Sequence, residues 1–265
     1  MLKVVNYNVN SKNELTIAHF SDIHYSYKFK TKVFKEILDK LNELKPDYIC
    51  ITGDIVDNIE IGANEKVMEP LYKFIEELSS ITKVIITLGN HDIREYKGKI
   101  DNKWYLSLKK MKNIIFLNNE FYTENDLCFY GFTASEEYYH NERDQMLKLK
   151  EELVNIRFNK KKTNILLIHS PIHLGNEKMY ENIKDFNLIL CGHTHNGLMP
   201  HFIKGNFGIV APNHKLFLKN ARKSFKNKNI TIIISGGITK LSSGTKFLHF
   251  FDKFFKSDIN YIKLK

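Results

Sequence analysis

Five places along this 265-residue chain put aspartate, asparagine or histidine directly behind a short apolar run. Asp22 and His24 follow LTIAHF, Asp54 follows YICIT and Gly53, and Asn90, His91 and Asp92 follow KVIITL and Gly89. His169 closes NILLI, and His193 with His195 follows NLILC and Gly192. Carboxylate oxygen mixed with imidazole nitrogen suits borderline divalent cations such as manganese, iron, zinc and cobalt. An all-oxygen set would have favoured magnesium or calcium, and a thiolate set structural zinc. Asp22 with His24, and His193 with His195, are i, i+2 pairs, which in extended chain project to one side and can converge on one ion. Glycines 53, 89 and 192 let the backbone turn at the strand end and bring the next residue inward. A lone Asp-x-His or Gly-Asp is ordinarily a turn feature; the conjunction of all five carries the inference.

Positioning such residues needs strands that end together. Apolar runs at 15–20, 48–52, 83–88, 113–117, 127–132, 164–168, 187–191, 231–235 and 259–264 read as strands, several fully buried. Between them, Phe34, Ile37, Leu38, Leu41 and Leu44 recur at helical spacing over 31–45, as do Val67, Leu71, Phe74, Ile75 and Leu78 further on. Residues 140–157 form a more polar helix candidate. Alternating strands and helices in the first half imply parallel βαβ units, and the helix-poor part after 187 implies more antiparallel pairing. The result is a mixed α/β sandwich treated as one domain, 1–265. In such sheets ligands gather beyond the carboxyl ends of the strands, where the five groups lie.

Composition sets looser bounds. With 43% hydrophobic and 26% charged residues the chain is an ordinary folded protein rather than a disordered or fibrous one. No stretch approaches the roughly 20 apolar residues of a membrane span, and Met1 to Asn13 lacks the apolar core of a secretory signal, so a soluble cytoplasmic protein is expected. Cys50, Cys128 and Cys191 sit in strand-like contexts and read as buried free thiols. The net charge of +10 suits an anionic partner, although lysines are scattered throughout. Lys215, Lys219, Arg222, Lys223, Lys226 and Lys228 form a basic run read as a solvated loop rather than a polyanion site. Phe247, Leu248, Phe250, Phe251, Phe254 and Phe255 share one side if 246–256 is helical, which favours packing on the sheet over peripheral membrane association.

The ordered set Asp-x-His, Gly-Asp-x-x-Asp, Gly-Asn-His-Asp, His and Gly-His-x-His resembles the signature of the calcineurin-like metallophosphoesterase superfamily across residues 22 to 195. That resemblance implies a four-layer α/β/β/α sandwich with two mixed β-sheets and two divalent ions at the strand ends, manganese, iron or zinc, with manganese favoured. It further implies that Asp22, His24 and His195 hold one ion, that Asn90, His169 and His193 hold the other, and that Asp54 bridges them. Two such cations roughly 3.5–4 Å apart activate a water for in-line attack on phosphorus. His91, beside ligand Asn90 but not itself a ligand, is left free to protonate the departing alkoxide. Asp92 either orients His91 or caps a turn, and Asp57 either supports a ligand histidine or caps a turn. The single-domain layout, ITGDIVD and INYIKL are similar to bacterial phosphodiesterases that often carry an N-terminal membrane anchor. The implied partner is a phosphate-ester small molecule, lipid-linked or nucleotide, with a diester favoured over a monoester. The alternatives are a nuclease or nucleic-acid binder, less favoured because no aromatic-basic motif is present, and a catalytically silent scaffold.

Overall fold

Strand runs such as YICIT and TNILLI are buried along their whole length, as strands covered on both faces must be. They build two six-stranded sheets in a computed structural model that describes residues 2–94, 104–140, 145–154, 158, 160–198, 205–208, 219–239 and 257–265. In the first sheet β1 (Lys3–Val9) lies beside β12 (Asp258–Leu264), followed by β2 (Leu15–Phe20), β3 (Tyr48–Thr52), β4 (Lys83–Thr87) and β5 (Ile114–Phe116). In the second, the order is β10 (Lys223–Asn227), β11 (Ile230–Ile234), β9 (Leu188–Cys191), β8 (Thr163–Ile168), β7 (Leu127–Phe132) and β6 (Glu120–Glu124). β2 to β5 are parallel, as are β7, β8, β9 and β11, so their carboxyl ends point one way.

Side-chain alternation along these strands separates three apolar layers. Ile49 and Ile51 face α1 (Lys32–Leu44) and α3 (Glu65–Ile81), joining Phe34, Ile37, Leu41, Phe74 and Leu78. Cys50, between them, faces the other sheet with Ile17, Ile85, Phe129, Ile165, Leu167 and Ile233. Leu166 and Ile168 point the opposite way, to Leu149 of α6 (Gln145–Leu153) and Ile183 of α7 (Tyr180–Ile183). The layers are therefore α/β/β/α, as the resemblance implied. α3 is started by Asn64, whose side chain accepts from Val67 N–H, and Phe34 stacks on Phe74 at 4.1 Å between ring centres. Truncating a fully buried residue here, such as Leu41, to alanine costs about 2–5 kcal/mol.

The structure departs from the sequence reading in places. Lys223–Asn227 is not a solvated loop but an edge strand paired antiparallel with Ile230–Ile234, and Arg222 beside it is 3% exposed. β1 and β6 are further strands outside the nine apolar runs. After residue 187 the pairing is mixed: β9 and β11 are parallel, and β12 runs antiparallel to β2 but parallel to β1. Of the residues 140–157, those described include His140, the last residue of α5 (Glu136–His140), and α6 (Gln145–Leu153). Lys215 and the phenylalanine run 246–256 lie outside the described residues. Cys50, Cys128 and Cys191 are buried and free. No helix among the described residues is long and apolar enough to cross a membrane.

Candidate metal centre

The five groups meet where the two sheets' parallel strands end. The loop after β2 runs alongside the loop after β3, with Asp22 N–H donating to Gly53 O at 3.0 Å and His24 N–H to Asp54 O at 2.9 Å. From the second sheet, Gly192 N–H donates to His169 O at 2.8 Å, and His193 N–H donates to the Asp22 carboxylate at 3.1 and 3.2 Å. The i, i+2 pairs do not converge by strand alternation. Asp22 (φ 54°), His24 (45°), Asp54 (51°), His193 (70°) and His195 (45°) all occupy left-handed backbone in the loops beyond the strands. Non-glycine residues are uncommon there, and such conformations persist where the surroundings over-determine them. Gly53 (φ 80°), Gly89 and Gly192 allow the crowding: a Cβ on Gly192 would meet Ser21 Oγ and lie 2.6 Å from Asp22 Oδ2.

Seven side chains were expected to converge, and six form two linked sets. Asp22, His24 and His195 offer ligand atoms within 4.8 Å of one another, as do Asp54, His169 and His193. His195 Nε2 lies 3.2 Å from His24 Nε2 and 3.4 Å from Asp22 Oδ1, and His169 Nε2 lies 3.1 Å from Asp54 Oδ2. Asp54 Oδ2 is also 3.6 Å from His24 Nε2, so one carboxylate touches both sets. Donors about 2.0–2.2 Å from a shared ion stand roughly 3.0–3.5 Å apart, which the His24–His195, Asp22–His195 and Asp54–His169 separations match, while His24 Nε2 stands 3.8 Å from Asp22 Oδ1. The seventh, Asn90, opens the short helix α4 (Asn90–Ile93), and its buried Oδ1 has no hydrogen-bond partner among the described residues. His169 donates from Nδ1 to Thr52 O at 2.7 Å, which leaves the Nε2 lone pair facing the Asp54 carboxylate. Acceptors opposed in this way, in a buried pocket of carboxylate and imidazole, fit a divalent cation.

The family model for calcineurin-like phosphoesterases matches residues 15–197, which spans both sets. The chain belongs to that family. A putative metallophosphoesterase of Caenorhabditis elegans is 31% identical over 73% of this chain and 39% of its own length. The DNA double-strand break repair protein Mre11 of Methanococcus maripaludis is 27% identical over 72% of this chain and 55% of its own. A solved dimetal phosphatase from Danio rerio aligns with TM-score 0.48 and 11% identity, covering 84% of this chain and 88% of that one. The chain spans 39–58% of the length of the first curated relatives it matches.

The buried carboxylates and imidazoles of these two sets act on one another's charge. Burial would raise Asp22, but His195 and His169 outweigh it and hold the carboxyl below its usual range. Asp54 is likewise held well below, against burial, by His169 and His91. Burial lowers His193 to about 3 and also lowers His195. His169 rises to about 9, because Asp54 and Asp22 outweigh burial when no cation stands between them.

The two residues expected to act on the leaving group have separate attachments. His91 N–H donates to Asp54 Oδ1 at 2.9 Å, and its Nδ1 donates to Asp57 O at 2.5 Å. Asp92 does not orient His91. Its Oδ2 accepts from Gly89 N–H at 2.8 Å and its Oδ1 from Ile55 and Val56 N–H at 2.9 and 3.1 Å. Asp92 thus caps α4 and staples it to the loop that carries Asp54. Burial and the neighbouring Asp54 push it up to about 7, against the pull of those backbone donors. Asp57 gives its carbonyl to His91, and its carboxylate lies 3.5 Å from His24 Nδ1. Sequence reasoning missed Thr52, Ser21, Asn196 and the segment Ser235–Thr239. Ser21 Oγ donates to Asp22 Oδ2, and Ile238 and Thr239 donate backbone N–H groups to Ser21 O and Asp22 O at 3.0 and 2.9 Å. The strand-ending IIISGG run was the available signal for that segment.

Proposed function

We propose that this chain hydrolyses phosphate esters, with small diesters favoured by the family resemblance, at a dinuclear centre. Asp22, His24 and His195 hold one divalent ion, Asn90, His169 and His193 hold the other, and Asp54 is shared. The supporting observation is the position of Asp54 Oδ2, 3.1 Å from His169 Nε2 and 3.6 Å from His24 Nε2. The donor set suits manganese, iron or zinc, and manganese is the first to test. Two such ions lower the pKa of water, orient the phosphoryl oxygens and neutralise charge gathering on them. The protein's own residues do the rest. The Thr52 carbonyl fixes the tautomer of His169, and His91 N–H holds Asp54 Oδ1 so that Oδ2 faces the imidazoles. Because Asp57 O occupies His91 Nδ1, Nε2 is the atom that passes a proton to the departing alkoxide.

The deciding experiment is metal analysis of purified protein paired with chromogenic mono- and diesters, run with manganese and with chelator. His91→Ala should keep both ions and lose about 10²–10⁴ in turnover of poor leaving groups. Asp54→Asn should lose metal. Unchanged turnover in the first variant, or two retained ions in the second, contradicts the assignment. The relationship to Mre11 and the net charge of +10 favour one second reading, a nuclease. Cleavage of DNA whose rate falls steeply with salt would support it; hydrolysis of small diesters alone would exclude it.

A further inference from the structure

Asn196 follows His195 in left-handed backbone, at φ 56°, and its amide donates to Asp258 Oδ2 at 3.2 Å. The other oxygen of that carboxylate accepts from Gly236 N–H at 2.8 Å. Gly236 leads into the segment whose Ile238 and Thr239 N–H groups bond Ser21 O and Asp22 O. One carboxylate, 8% exposed and far away in sequence, therefore joins the loop bearing His195 to the segment backing Asp22. The join is closely packed. A Cβ on Gly236 would meet Asn196 Nδ2 and Asp258 Oδ2, and one on Gly237 (φ 86°) would lie 3.1 Å from Asp22 Cβ and 3.3 Å from His195 Nδ1. On the other side of the same loop, Thr194 Oγ1 donates to Ala221 O at 2.6 Å.

We propose that Asp258 is a positioning residue: through Asn196 and Gly236 it sets the 3.4 Å separation of His195 Nε2 from Asp22 Oδ1 and so the affinity of the cation site those two share with His24. This rests on the metal-centre reading above. The need for such a tie follows from the backbone. Asp22, His24, His195 and Asn196 all stand at positive φ, a region that non-glycine residues rarely adopt without support from their surroundings. A loop so placed relaxes unless other bonds hold it. Among the described residues, the Asp258 side chain accepts from Asn196 and Gly236, in the two segments that flank the proposed cation site. Losing a support of this kind weakens metal affinity by about 10- to 100-fold.

The test uses chelator-stripped full-length wild type, Asn196→Ala, Asp258→Ala and the double variant, each titrated with Mn²⁺ by calorimetry and unfolded thermally in chelator. Wild type should bind two ions. Each single variant should lose about tenfold or more in affinity at one site while keeping the other, with kcat regained at saturating Mn²⁺. The double variant should be no worse than Asp258→Ala, since both changes break one connection. A single variant that loses thermal stability yet binds both ions with wild-type affinity overturns the proposal, as do additive losses in the double variant. If Asp258→Ala does not fold, Asn196→Ala decides alone: unaltered affinity there overturns the proposal. Wild-type protein that binds no transition metal overturns the metal-centre reading itself, so the two failures are distinguishable.

Discussion

Gly89 lies in extended backbone, φ −107° and ψ −176°, which alanine adopts freely, so a methyl group added there tests packing alone. The new Cβ would stand 2.5 Å from Asp54 N and 2.9 Å from His169 Cγ, and it would also meet Asp54 Oδ1. Ordinary contact begins at 3.4 Å, so the Asp54 backbone must retreat by 3.4 − 2.5, about 0.9 Å. It cannot retreat alone, because Asp54 O accepts from His24 N–H at 2.9 Å and Asp54 Oδ1 from His91 N–H. The shift therefore reaches both proposed cation sites. Overpacking of this size costs about 1–3 kcal/mol of stability, and displacing a positioned group by about 1 Å costs on the order of 10²-fold in rate. Gly89→Ala should be stripped, reloaded with manganese, and compared with wild type for ions per chain, diester turnover and thermal unfolding. We expect substoichiometric metal and turnover lowered about 100-fold. Two ions per chain with wild-type turnover would refute the reasoning.

Two further outcomes follow from buried groups. His19 is fully buried between Thr52 Oγ1 at 2.9 Å and Asn260 Nδ2 at 3.2 Å, and burial lowers it to about 3. Its depressed folded pKa means that the unfolded chain takes up a proton first, so this stability is complete above about pH 6.5. It declines on acidification towards pH 3 by about 1.4 kcal/mol per unit; His19→Gln should flatten the chelated protein's denaturant midpoints between pH 6.5 and 4.5, and parallel curves would contradict this. Asp92→Asn faces an NH₂ group towards a backbone donor among Gly89, Ile55 and Val56 and should cost about 1–3 kcal/mol by denaturant unfolding. The pH profile of turnover should not move, and a shifted acid limb would restore Asp92 as the partner of His91.

The inner strands were legible because burial on both faces demands unbroken apolar runs, as in LILC of β9. Edge strands obey no such demand. KVVNYNV in β1, EFYTE in β6 and KSFKN in β10 mix polar and apolar residues, and the lysines of β10 resemble a solvated run until the pairing with Ile230–Ile234 is seen. The candidate ligands were legible for a chemical reason: few residue types offer lone pairs to a borderline cation, so their recurrence at strand ends stands out. What holds them was not. Thr52 O, Asp57 O and the N–H groups of Gly236 and Gly89 are backbone groups, common to nearly all residue types. The left-handed turns at Asp22 and His193 are equally silent, since most aspartates and histidines do not adopt that region.

β12 sits between β1 and β2, two strands that are neighbours along the chain. Until it docks, β1 has no partner and β2 has an open flank, and His19 lacks the bond from Asn260. During synthesis from the ribosome, the first sheet would wait with an unsatisfied seam while the second is being made, a long-range closure of the kind that slows assembly and exposes sticky intermediates. Cation capture at Asp22 and His195 would then be among the last events of maturation, and nascent chains halted before residue 258 should hold no ion at that site.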